Sequence, residues 1–146
     1  MQRPRTIVIF WLLMLVFLFI ACQFFLPALT DLFRGTTLFL LPIGIFSLLG
    51  LALMVCVIKE KEKRILKIFL LLTSSSALGF FVFVFLHNAF YAFGILTEGI
   101  PVLNYLMEGI GVVFFLVAVI GCPLGFLVGT IGTIVLLIKG RKKQKS

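Results

Sequence analysis

Four long apolar runs dominate the chain. Residues 7–26, 36–58, 68–95 and 110–138 contain no Asp, Glu, Lys or Arg, giving uninterrupted lengths of 20, 23, 28 and 29 residues by inclusive count. About 20 apolar residues suffice to carry an α-helix across a hydrocarbon core about 30 Å thick. In lipid every backbone N–H and C=O must find a partner inside the protein, so a span is either a helix or part of a closed barrel. Barrel strands alternate polar and apolar residues with period two, and none of these runs does so. The pattern therefore predicts an all-α membrane protein with four transmembrane helices in a bundle. It forms a single domain and closes on a basic tail over 139–146.

Composition agrees with that picture. Of the 146 residues, 62% are hydrophobic and only 12% are charged, and the mean hydropathy is +1.29. Soluble domains carry about 45–50% apolar and about 25% charged residues. A chain this apolar lacks the polar surface to cover a water-facing globule.

The distribution of charge sets an expected orientation. Twelve of the thirteen basic residues fall before the first run, in the stretch "KEKEKRILK" between runs two and three, or in the tail "KGRKKQKS"; only Arg34 lies elsewhere. Lys and Arg concentrate in short cytoplasmic loops, so both termini are expected in the cytoplasm of a prokaryotic plasma membrane. The connections 27–35 and 96–109 are expected outside. The net charge of +8 is then explained by topology and by contact with anionic headgroups, and nucleic acid is not an expected partner.

The N-terminal stretch "MQRPRTIVIFWLLMLVFLFIAC" has a positive start, an apolar core and a small residue before Cys22, the outline of a secretory signal. "FIAC" resembles the lipobox of bacterial lipoproteins. That resemblance would imply lipidation of Cys22 and a processed three-span protein. Position 19 is Phe where the lipobox prefers Leu, and the apolar run continues through Leu26. The expectation is an uncleaved first helix with Cys22 unmodified.

Catalytic chemistry is sparse. The chain has one histidine and five acids, and no acid falls within the four runs. Patterns such as GxSxG or HExxH do not occur in a supporting context. Proton-coupled transporters keep ionisable groups in the membrane because such residues are expensive there and retained for function. Small multidrug-resistance transporters are similar in size, but they depend on a glutamate in the first helix, where this chain offers only Gln23. Cys122-Pro123 resembles the intramembrane metal site of heavy-metal pumps. Such a site needs several soft ligands, and Cys22 and Cys56 lie in other runs. No enzyme activity, metal or cofactor is expected.

Glycine placement carries the most pattern. Gly121, Gly125 and Gly129 stand four apart in "GCPLGFLVGTIGT", followed by Gly132. Small residues at this spacing line one helix face and admit a second helix at close range. Ser75 and Gly79 in run three, and Gly44, Ser47 and Gly50 in run two, are the expected facing strips. "LPIGIFSLLGLALMVCVIK" and "CPLGFLVGTIGTIVLLIK" share Pro-x-Gly and a closing Ile-Lys, a weak sign of a parallel repeat. Pro42 and Pro123 are expected to kink their helices.

One polar break remains, "LHNAFYAFG". His87 lies 19 residues beyond Ile68, which is roughly 28 Å along a helix, so it is expected at the outer boundary with Asn88. Tyr91 suits the aromatic belt there. An alternative is an outer-face polar cluster in which His87, Tyr91 and Glu98 share a helix face and Glu108 approaches from the loop. On these grounds the chain is expected to be a non-enzymatic membrane component. It would pack with itself as a homo-oligomer, or with a larger membrane protein. The second reading is an oligomeric channel or facilitator for a small solute, which needs no buried charge if the pore gates by dewetting.

Overall fold

A computed structural model describes residues 4–27, 40–60, 63–97 and 99–145. Helix α1 runs Pro4–Phe25, α2 Leu41–Lys59 and α3 Arg64–Leu96. Helix α4, Pro101–Leu116, passes through a π-helical segment, Val117–Gly121, into α5, Cys122–Lys145. Residues 101–140 form one continuous apolar helical stretch, here the fourth span. Thus, among the described residues, four helical stretches are long and apolar enough to cross a membrane.

Proline chemistry explains where these helices begin and bend. Pro42 and Pro101 occupy the first turn of α2 and α4, where the missing N–H is one of the unsatisfied donors in any case and φ is already helical. Pro42 therefore starts a helix instead of kinking one, and the Pro-x-Gly stretches of runs two and four play different parts. Pro123 lies inside a helix. Its ring collides with the carbonyl four residues earlier, and the π turn at Val117–Gly121 falls over that position. The fourth span also starts nine residues before the expected 110, so the expected outer loop 96–109 is largely helix. At the turn, Thr97 Oγ1 donates to the Phe93 and Gly94 carbonyls at 2.9 and 3.1 Å.

Successive helices run antiparallel. The first turn of α1 meets the end of α2 through Thr6 and Glu60. Lys67 Nζ, at the start of α3, donates to the Ile58 carbonyl at 3.3 Å. Helix α3 is central, touching α2 on one side and the fourth span on the other, whereas α1 approaches closely only α2 at the backbone. The buried core includes Phe10 and Leu13 of α1, Phe46 and Leu53 of α2, Leu70 and Ala77 of α3, and Phe126 of α5. Three aromatic rings tie α1 to its neighbours: Phe17 and Phe46 lie 4.5 and 5.2 Å from Phe126 between centroids. Elsewhere large apolar side chains face outward along every helix, as a lipid-solvated surface requires.

The helices differ in length, and this shapes one end. At about 1.5 Å per residue, the 22 residues of α1 and 19 of α2 measure roughly 33 and 28 Å. The 33 residues of α3 measure roughly 50 Å. All begin or end together at the basic end. The contact of Gly50 with Ala77 sets the relative level of α2 and α3. From there, the far part of α3 and the start of α4 project roughly 10–15 Å past the described ends of α1 and α2.

Candidate functional site

The polar residues of "LHNAFYAFG" lie where α3 emerges beyond the two shorter helices. His87 is half-buried, with Nδ1 2.9 Å from the Gly111 carbonyl of α4. A carbonyl only accepts, so Nδ1 carries the proton and donates. The imidazole leans on Phe115 at 5.2 Å between centroids. Nearer the tip, Asn104 Nδ2 donates to the Gly94 carbonyl at 3.3 Å. Phe114 packs against Phe83 and Phe90 at 5.9 and 5.4 Å. Two side chains thus bond across the pair to backbone carbonyls, and aromatic rings fill the space between. In low-dielectric surroundings such bonds gain because the alternative is an unpaired polar group.

The expected outer cluster is not assembled around His87 among the described residues. Asn88 is exposed, and its Nδ2 returns to the Val84 carbonyl of its own helix at 2.8 Å. Tyr91 is exposed and turned outward. Glu108 is also exposed, with its Cγ beside Gly94. Glu98 lies outside the described residues. No group of three His, Cys, Asp or Glu that could hold a metal forms among the described residues. The arrangement fastens α3 to α4; it does not gather an acid, a base and a nucleophile.

The glycine face of α5 meets α3. A Cβ placed on Gly125 would stand 2.5 Å from Ser76 Oγ, and one on Gly129 would stand 2.5 Å from Thr73 Oγ1 and 2.7 Å from its backbone N. On Gly132 it would strike the Phe69 ring. Gly79 faces Cys122 Sγ at 3.4 Å from such a Cβ position. On the other side of α3, a Cβ on Gly50 would lie 2.9 Å from the Ala77 Cβ, and Ser47 Oγ donates to the Ala77 carbonyl at 3.4 Å.

Three expected seam residues sit differently. Ser75 is exposed and bonds back to the Leu72 carbonyl; Thr73 and Ser76 supply the contacts instead. Gly121 would meet only Val117 of its own helical stretch, and Gly44 faces open space. Cys22 is exposed on α1, which continues through it to Phe25; Cys22, Cys56 and Cys122 are all free.

One polar contact has no counterpart in the sequence pattern. Glu60, only 8% exposed, accepts a 2.5 Å hydrogen bond from Thr6 Oγ1. Its carboxylate sits against the first turn of α1, where the helix dipole favours an anion. The residue lies in the charged stretch "KEKEKRILK", and a separation of 54 positions hides the pairing. No known protein family, curated protein or solved structure matches this chain.

Proposed function

We propose that this chain is a multi-pass protein of a prokaryotic plasma membrane, a four-helix bundle with both termini cytoplasmic. It acts as a non-enzymatic component that packs with a larger membrane protein or with itself. The observation that carries the reading is the projecting pair formed by the far parts of α3 and α4. With the basic end at the cytoplasmic boundary, a hydrocarbon core about 30 Å thick is already spanned by α1 and α2. The projecting pair nevertheless shows apolar side chains outward: Leu96 is 79% exposed, Val102 82% and Tyr105 75%. An open hollow of about 280 Å³ is bordered by Tyr105, Leu106, Gly109, Ile110 and Val113. Large exposed apolar patches mark interaction sites.

The seam of small residues supports the same reading from the other direction. Gly125, Gly129 and Gly132 are taken up by contacts with α3, so association would use the projecting pair. Purification in mild detergent tests the proposal. The expected result is a discrete larger complex, with a stoichiometric partner or a defined number of copies. A monodisperse monomer at all detergent concentrations, with no partner retained, would overturn it.

A further inference from the structure

The fourth span breaks its hydrogen-bond ladder at one level. The Cys122 N–H donates to the Val117 carbonyl, five residues back, and Pro123 has no N–H. The carbonyls of Ala118 and Val119 thus lose the donors that an α-helix would supply from four residues further on. Sharp bends in helices arise at π turns and prolines of this kind.

Helix α3 is weakened opposite the break. Thr73 Oγ1 donates back to the Phe69 carbonyl at 2.9 Å, and the Ser74 and Ser75 hydroxyls donate to the Leu71 and Leu72 carbonyls at 3.1 and 3.2 Å. Side-chain bonds of this kind compete with the helical ladder and often bend it. Gly79 follows about one turn later, and glycine in a helix interior adds backbone freedom. It faces the break directly: a Cβ on Gly79 would stand 3.4 Å from Cys122 Sγ. The two weak places therefore adjoin.

Beyond them, the chain is fastened to itself and to little else. His87 bonds to Gly111, Asn104 bonds to Gly94, and Phe114 packs on Phe83 and Phe90. Among the described residues, the backbone of α4 closely approaches only α3 and the π turn. Along α3, Gly94 is the one buried residue past Ala77. On the near side of the break, Gly125 and Gly129 lock α5 to α3, and Phe126 joins the core.

Two helices bonded side by side bend together only if both give at one level. We propose that the projecting part of α3 and α4 swings as one unit on a double pivot. One half of the pivot is Gly79 with the hydroxyl run before it; the other is the π turn with Pro123. Leu96 lies 17 residues beyond Gly79, a lever of roughly 25 Å. A bend of about 20°, the threshold of a sharp kink, would carry the tip roughly 9 Å. The surface proposed above to meet a partner would thus adjust its tilt on engagement. That use rests on the docking role; the pivot itself does not.

Distances between paired nitroxides test the pivot in the full-length protein, reconstituted alone in lipid nanodiscs. The labels are carried on encoded p-acetylphenylalanine, so that Cys122 stays in place. Leu96 with Leu51 of α2 spans the pivot. Tyr91 with Val102 lies within the projecting unit, and Leu51 with Ile131 within the remainder; all five side chains are exposed. The Leu96–Leu51 distribution should be broader than both controls by several ångströms. Gly79→Ala meets only ordinary contacts, at 3.4 Å and beyond. Combined with Pro123→Ala, it should narrow the distribution to the width of the controls without lowering the melting temperature. A Leu96–Leu51 distribution that does not exceed both controls would overturn the pivot. So would a broad one that the double variant leaves unchanged, since the motion would then arise elsewhere. These distances need no partner. A protein that purifies as a lone monomer would end the docking role and leave the pivot standing, and a rigid pair that retains a partner would do the reverse.

Discussion

Gly129 leaves no room for a side chain. A Cβ there would stand within 3.0 Å of three atoms of α3, two of them backbone, so α3 would have to move away. Overpacking of this kind costs about 1–3 kcal/mol. Gly129→Leu should therefore lower the thermal stability of the detergent-solubilised protein by several degrees, as should Gly125→Leu. Gly44→Leu, which faces open space, should leave it nearly unchanged. Equal tolerance of all three would mean that α3 and α5 do not pack as described. His87 makes a smaller contribution. Hydrogen bonds between membrane helices average about 0.6 kcal/mol, with a maximum near 1.7. His87→Leu should thus destabilise measurably but mildly in the same melting assay, and Asn88→Ala, which loses only a bond within its own helix, should not.

These residues also show how far the sequence could be read. The spacing of Gly121, Gly125 and Gly129 makes one helix face a candidate for packing; in the structure Gly125, Gly129 and Gly132 face α3, and Gly121 does not. Its partners were misassigned by a fraction of a turn: Ser75 was the expected contact, but Thr73 and Ser76 make it. The cause is physical. Four consecutive hydroxyl residues, Thr73 to Ser76, cover most of the helix circumference, and Thr73, Ser74 and Ser76 are the buried ones, so neither polarity nor residue size marks the phase. His87 lies where α3 emerges past the described ends of α1 and α2. Its bond to Gly111 was hidden because residues 101–109 read as a loop.

At the scale of elements, proline position decides much of the form. Pro42 and Pro101 open helices, and Pro123 interrupts one; composition alone treats them alike. Replacing Pro123 by Ala removes the steric cause of the π turn. Spin labels placed on α4 at Val112 and on α5 at Val128 should then change separation, because relaxing the π turn alters both rise and rotation between them. An unchanged distance would show that packing against α3, not Pro123, imposes the π turn. Helix α1 presents a different case. Close backbone contact ties it only to α2, and its basic end is held by Thr6 and Glu60. Thr6→Val would leave a buried carboxylate without its described donor, at a cost of about 1–3 kcal/mol. Hydrogen exchange should rise across the first turns of α1 and stay constant in α3 and α5. Uniform acceleration in all helices would show instead that α1 is integral to a single cooperative unit.

For the whole molecule, the four apolar runs made the membrane class and the helix number legible, because span length is set by the bilayer. The difference in helix length was less legible. Run three already extends to 28 residues, but the start of α4 falls in the expected outer connection 96–109, so the sequence does not show the projecting pair. The proposed orientation rests on charge alone. Reporters fused after Ser146 should behave as cytoplasmic, and those inserted at Gly99 as external; the reverse pattern would invert the molecule.

The projecting part of α3 and α4 is proposed to meet another protein. Photo-crosslinking in intact cell membranes addresses it most directly, with benzoyl-phenylalanine replacing Val102 or Tyr105 in turn and Leu15 on the flank of α1 as reference. All three are strongly exposed, Leu15 at 63%. One discrete protein adduct of constant mass is expected from Val102 and Tyr105, and lipid adducts from Leu15. Lipid adducts alone from all three positions would contradict it, showing that the long helices are accommodated by tilt or a thicker bilayer and that the exposed face belongs to lipid.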